Sequence, residues 1–139
     1  MKELSSPQQQ ELRAVVGERV TFDRLERMFY SHDVGSLPSL VKPLIGSTLP
    51  AAIVQPTTEE QAVDIIAFAH THRVPLVPRG KSTSGYGGVI PARGGLVVDF
   101  AWMNKIVQID ADSMTATVQP GVVWEKLEKA LSEQGLGLC

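Results

Sequence analysis

The segment Ala51–Pro78 constrains the fold more than any other part of the chain. It opens with a short apolar run, AAIVQP (Ala51–Pro56), ended by proline, which reads as a buried strand. TTEEQAVDIIAFAHTHR follows, and Thr57 with Glu60 three residues later has the spacing of a capping box that starts a helix. Ala62, Val63, Ile66, Ala67 and Ala69 are expected to form its apolar face. VPLVP (Val74–Pro78) is a second strand and GLVVDF (Gly95–Phe100) a third. A strand, a helix and a strand joined by short links favour parallel pairing with a right-handed crossover.

The flanking regions are built differently. Glu3–Val16 and Asp23–Tyr30 read as short helices, and Ser36–Pro50, with Gly46 and three prolines, as irregular chain. After Phe100, KIVQID and MTATVQP are short strands separated by ADS, a hairpin-like arrangement. GVVWEKLEKALSEQGLG then reads as a helix with Val123, Leu127, Ala130 and Leu131 on one face and Gly135 as its stop. The expected fold class is α+β: a small parallel β-α-β lobe flanked by helices, then the start of an antiparallel β plus helix lobe. The expected parts are residues 1–50, 51–103 and 104–139.

Composition narrows the function. With 139 residues and a net charge of -2, the chain can form one modest domain but has no global field to recruit nucleic acid. Cys139 is the sole cysteine, so neither an internal disulfide nor a cysteine metal cluster is available. The N-terminus lacks an apolar signal core, and no run approaches the roughly 18 residues of a membrane span. A cytoplasmic protein is expected.

The loop after the second strand, RGKSTSGYGG (Arg79–Gly88), contains GKST, the ending of a nucleotide-triphosphate P-loop. That motif needs a glycine five residues before Gly80, where this chain has Pro75, and must run directly into a helix. Here TSGYGGVIPARGG follows, which is not helical. A different anion site fits better: clustered glycines let backbone N–H groups converge, Ser82, Thr83 and Ser84 add hydroxyls, and Arg79 and Lys81 add charge. On spacing alone, a plain surface turn fits equally well.

The order of the pieces resolves the choice. PAAIVQPTTEEQAVDIIAFAHTHRVPLVPRGKSTSGYGG followed by GGLVVDFAWMNKIVQIDADSMTATVQPGVVWEKL resembles the N-terminal part of the FAD-linked oxidase family, which includes vanillyl-alcohol oxidase, p-cresol methylhydroxylase and the flavin subunit of glycolate oxidase. The resemblance implies that residues 51–103 are the first FAD-binding lobe and 104–139 the start of a second. It places Pro78, Arg79, Gly80, Lys81, Ser82, Thr83, Ser84, Tyr86, Gly87 and Gly88 at or beside the FAD pyrophosphate. Pro120 and Gly121 would approach from the other lobe. Lys81 and Ser82 replace glycines common in relatives, with the Lys81 side chain expected in solvent. Thr83 stands where some relatives carry a flavin-linked histidine, so FAD is expected to be held non-covalently.

The resemblance further implies a flavin-dependent oxidoreductase acting on a 2-hydroxy acid such as glycolate or lactate, of which this chain is a fragment without the substrate domain or a catalytic residue. Expected partners are a second copy, through the open edge of the second lobe, and an iron–sulfur electron-transfer subunit of the full-length protein. The rival reading is a non-catalytic fragment or subunit acting by protein association. Among the remaining residues, His70 and His72 are expected to be solvated; His32 could pair with the adjacent Asp33, but nothing nearby completes a metal or acid/base set. Asp99 is read as structural or as an anchor for the following turn, and Trp102 and Trp124 as core or interface residues.

Overall fold

The computed structural model describes residues 3–35, 47–83 and 85–138. The irregular chain expected over Ser36–Pro50 lies largely outside these residues. A four-stranded sheet has β1 (Val20–Thr21), β2 (Ala52–Val54), β3 (Leu76–Arg79) and β4 (Leu96–Asp99) in the order β1-β2-β4-β3. β1 pairs antiparallel with β2, whereas β2 and β3 both run parallel to β4. The crossover helix α3 (Glu59–His72) therefore carries the chain from β2 past one position, which β4 later fills.

Continuous apolar strands suit the middle of such a sheet, because both faces are covered. Every residue of β2 and β4 is buried. On one face Ala52, Val54, Leu96 and Val98 join a core with Leu12 and Val16 of α1 (Ser6–Val16) and Ile65 and Phe68 of α3. Each large side chain in this core contributes about 1.5–3 kcal/mol of hydrophobic stabilisation.

Two local expectations for α3 are corrected. The cap is Thr58, whose Oγ1 accepts from Gln61 N at 3.3 Å, in place of the Thr57/Glu60 box. Gln61 Oε1 accepts from Thr57 N at 2.8 Å while Gln61 Nε2 donates to Val15 O at 3.1 Å. An amide can accept at the helix start and donate to the neighbouring helix at once, which the carboxylate of Glu60 cannot. The buried face is Ile65, Phe68 and Ala69, whereas Val63 and Ile66 are more than half exposed. Apolar residues occur nearly all round this helix, so it is packing on α1, with bulky Phe68, that selects the face.

The short helix α2 (Arg24–Phe29) starts at Asp23, whose Oδ1 accepts from Leu25 N at 2.9 Å and Glu26 N at 3.1 Å. Beyond the sheet, β5 (Ile106–Asp110) and β6 (Thr115–Val118) form an antiparallel ribbon, followed by α4 (Trp124–Ser132). Leu127 and Leu131 are the buried side of α4. Val123, at the helix N-cap, is exposed, so the expected face is only partly buried. This α+β arrangement, a parallel lobe followed by an antiparallel strand pair and helix, is the expected one.

Candidate functional site

In parallel sheets, ligands bind outside the carboxyl ends of the strands. Here those ends bring together three polar residues. Asp99, the last residue of β4, is buried, and its Oδ2 accepts from Tyr30 Oη at 2.8 Å and Gln55 Nε2 at 2.8 Å. Its Oδ1 accepts from Ala101 N at 3.0 Å, so Asp99 does anchor the following turn. The Arg79 guanidinium lies 4.8 Å from the centre of the Tyr30 ring and donates to His32 O at 3.1 Å. Burial, followed by the hydrogen bond to Asp99, pushes the Tyr30 phenol up to about 12.

The glycine-rich loop leaves this edge directly after Arg79. Gly80 sits opposite the second lobe: a Cβ placed on it would meet Pro120 O at 3.5 Å, an ordinary contact. Gly121 is held by its N–H on Met103 O at 2.8 Å, and a Cβ there would collide with Phe100 O. Only glycine lets the Pro120–Gly121 turn reach the end of the sheet, so Gly80 and Pro120, predicted from distant parts of the sequence, meet.

Ser82 has a left-handed backbone, φ 55°. Its hydroxyl oxygen is shielded and finds no hydrogen-bond partner among the described residues. Such an orphaned group invites a ligand oxygen. Lys81, Thr83 and Gly88 are exposed, as is Pro78, and Tyr86 is 98% exposed. Ser84 lies outside the described residues. The Gly87 N–H donates to Asp33 Oδ2 at 2.7 Å.

Several residues here escaped the sequence reading. Tyr30, Asp33, Gly35 and Gln55 all touch the site edge, and nothing local in the sequence marks them. Asp33 does not pair with His32: its Oδ1 accepts from Gly35 N at 2.9 Å and its Oδ2 from Gly87 N, because the chain after α2 turns its carboxylate into the loop. His72 is not solvated as expected. Its ring packs at a 52° tilt on Phe68, with centroids 4.5 Å apart, and its Nε2 meets Glu11 Oε2 at 2.9 Å, since α1 packs beside it. His70 is exposed. Trp102 and Trp124 are not core residues: both are more than half exposed, with Trp102 lying under the Arg19 guanidinium at 4.3 Å.

A cavity of about 620 Å³ opens at the opposite, amino-terminal edge of the sheet, beside His72, Arg73, Pro75 and Arg93. Its arginines are exposed and its lining includes no residue of the glycine-rich loop, so the carboxyl edge is the stronger site. Among the described residues no helix is long and apolar enough to cross a membrane.

A glycine-rich loop at the carboxyl edge of parallel strands is a dinucleotide-binding arrangement. Residues 50–139 match the model of the FAD binding domain family, and the chain belongs to that family. It is 38% identical over 110 residues to glycolate oxidase subunit GlcD of Bacillus subtilis (strain 168), covering 79% of this chain and 22% of that protein. It is 30% identical over 126 residues to the mitochondrial D-lactate dehydrogenase [cytochrome] of Arabidopsis thaliana, covering 91% and 21%. The chain thus spans about a fifth of the length of these relatives. A solved alkyldihydroxyacetonephosphate synthase superposes with a TM-score of 0.79 at 28% identity, over 98% of this chain and 26% of that one. p-Cresol methylhydroxylase superposes at 0.76 with 24% identity, over 96% and 26%, and shares the fold.

Proposed function

We propose that the loop from Gly80 to Gly88 and the Pro120–Gly121 turn hold the pyrophosphate of FAD, non-covalently, in a flavin-dependent oxidoreductase that oxidises a 2-hydroxy acid such as glycolate or lactate. The observation that carries this reading is the meeting of Gly80 and Pro120 at the carboxyl edge of the parallel strands. The Ser82 hydroxyl, two residues further along the loop and without a partner among the described residues, supports it. The substrate class is supported by relatives named as a glycolate oxidase subunit, a D-lactate dehydrogenase and a D-2-hydroxyglutarate dehydrogenase.

Bound FAD would supply the acceptor for two electrons, formally a hydride, from a substrate carbon. The chain's own contribution is binding. Backbone N–H groups of Gly80 to Thr83 and the Ser82 hydroxyl are the available donors for a phosphate oxygen. Arg79 stays on the Tyr30 ring and His32 O, so it supplies nearby positive charge and edge rigidity. Thr83 offers no ring nitrogen for attachment to a flavin, which favours non-covalent holding.

Calorimetric titration of the chain with FAD, with Mg-ATP as control, tests the reading. FAD should bind and ATP should not. Gly80→Val, whose added atoms enter the gap toward Pro120, should weaken FAD by about tenfold, roughly 1.4 kcal/mol. A Cβ at Gly80 fits the fold, so Gly80→Ala, measured beside Gly80→Val with a urea midpoint for each, separates loss of the site from unfolding. Failure of the unsubstituted chain to bind FAD, or equal binding of ATP, would overturn the proposal.

A further inference from the structure

Asp33 lies outside the glycine-rich loop, 54 residues before Gly87, yet it is 8% exposed and turned into the loop. Its two carboxylate oxygens bridge different backbones: Oδ1 takes Gly35 N at 2.9 Å and Oδ2 takes Gly87 N at 2.7 Å. Gly87 has φ 82°, a conformation open to glycine without steric cost, so its place in the loop is fixed by contacts such as this bridge. Beside this bridge the Gly35 and Gly85 backbones touch, so closely that a Cβ on Gly35 would collide with Gly85 O. Two further ties fasten the same stretch to the sheet edge, Tyr30 Oη on Asp99 and Arg79 on His32 O.

We infer that Asp33 is a positioning residue that holds the far half of the glycine-rich loop in the shape that receives the dinucleotide, an extension that rests on the FAD reading above. Residues 30–35 act as a strap across the loop, and the Asp33 carboxylate is its clasp. The inference divides the loop by role. The Gly87 N–H is taken by Asp33, so phosphate contact falls to the Gly80–Thr83 half, while the Gly85–Gly88 half is held from behind. A carboxylate suits this task because charge-assisted bonds to N–H are about twice as strong as neutral ones, and both of its oxygens accept.

Asp33→Asn and Asp33→Ala test the role. Asparagine keeps the shape but leaves one N–H facing an amide that cannot accept on both sides. FAD affinity should fall about tenfold in Asp33→Ala and by a smaller factor in Asp33→Asn, following loss of charge-assisted bonds. The Gly87 amide resonance should shift, and its hydrogen exchange should accelerate, in both variants. The amides of β2 and β4 should keep their protection, which a general loss of structure would not allow. Unchanged FAD affinity in both variants, or an unmoved Gly87 amide, would overturn the inference while leaving the FAD reading intact. Absence of FAD binding by the unsubstituted chain would overturn the FAD reading, and this extension with it.

Discussion

β4 and β5 are strands of similar make-up under opposite conditions. β4 reads LVVD and all four of its residues are buried; β5 reads IVQID and none of its residues is. β4 lies between β2 and β3 with helices over one face, whereas among the described residues β5 has only β6 beside it. A two-stranded ribbon contributes little stability of its own. The difference assigns the two regions separate work. The sheet carries the fold, and the ribbon with α4 carries the Pro120–Gly121 turn to Gly80.

The largest effect should therefore come from the sheet. Leu96, fully buried in β4, packs in the cluster shared with α1 and α3. Leu96→Ala should cost about 2–5 kcal/mol, measured by urea unfolding. A cost below about 1 kcal/mol, well under the range for such truncations, would mean that the core can collapse around the cavity, breaking the contrast with β5.

Tyr30 tests the polar edge of the same sheet. Tyr30→Phe removes a bond to a buried carboxylate and should cost about 1.5 kcal/mol near neutral pH. Because the folded phenol is raised to about 12 from its ordinary 10, the folded state holds this proton more tightly than the unfolded one. The stabilisation is fully present below pH 10 and is lost as pH rises toward 12. Urea midpoints of the native chain should fall across that window, and those of Tyr30→Phe should fall less. Parallel curves would show that neither burial nor the Asp99 bond raises the Tyr30 phenol.

What the sequence shows of this edge depends on distance along the chain. The β2–α3–β3 unit is legible because its apolar runs, proline stop and cap region are all local signals. The loop is legible because glycines and hydroxyls cluster at Gly80 to Gly88, and the pairing of Gly80 with Pro120 comes through family resemblance. The clasp is not legible: Tyr30 meets Asp99 across 69 residues and Asp33 meets Gly87 across 54. Composition gives no sign of such pairs, and the neighbour that the sequence offers Asp33, His32, is not its partner. The buried face of α3 is misread for another reason: Val63 and Ile66 are as apolar as the residues that α1 actually covers.

The smallest stability effect should come from the ribbon. Val107 and Met114 are 63% and 70% exposed, so Val107→Lys and Met114→Lys should change folding stability by no more than about 0.5 kcal/mol. They should matter for association instead. An unpaired strand edge with exposed apolar side chains is a template for another chain, and lysine blocks it. A second copy of this chain is the occupant proposed for that edge. Light scattering across a concentration series should show dimers for the native chain and monomers for Val107→Lys at equal stability. A native chain that stays monomeric at high concentration ends that proposal. It would leave the ribbon with the single task of bringing Pro120 to the glycine-rich loop.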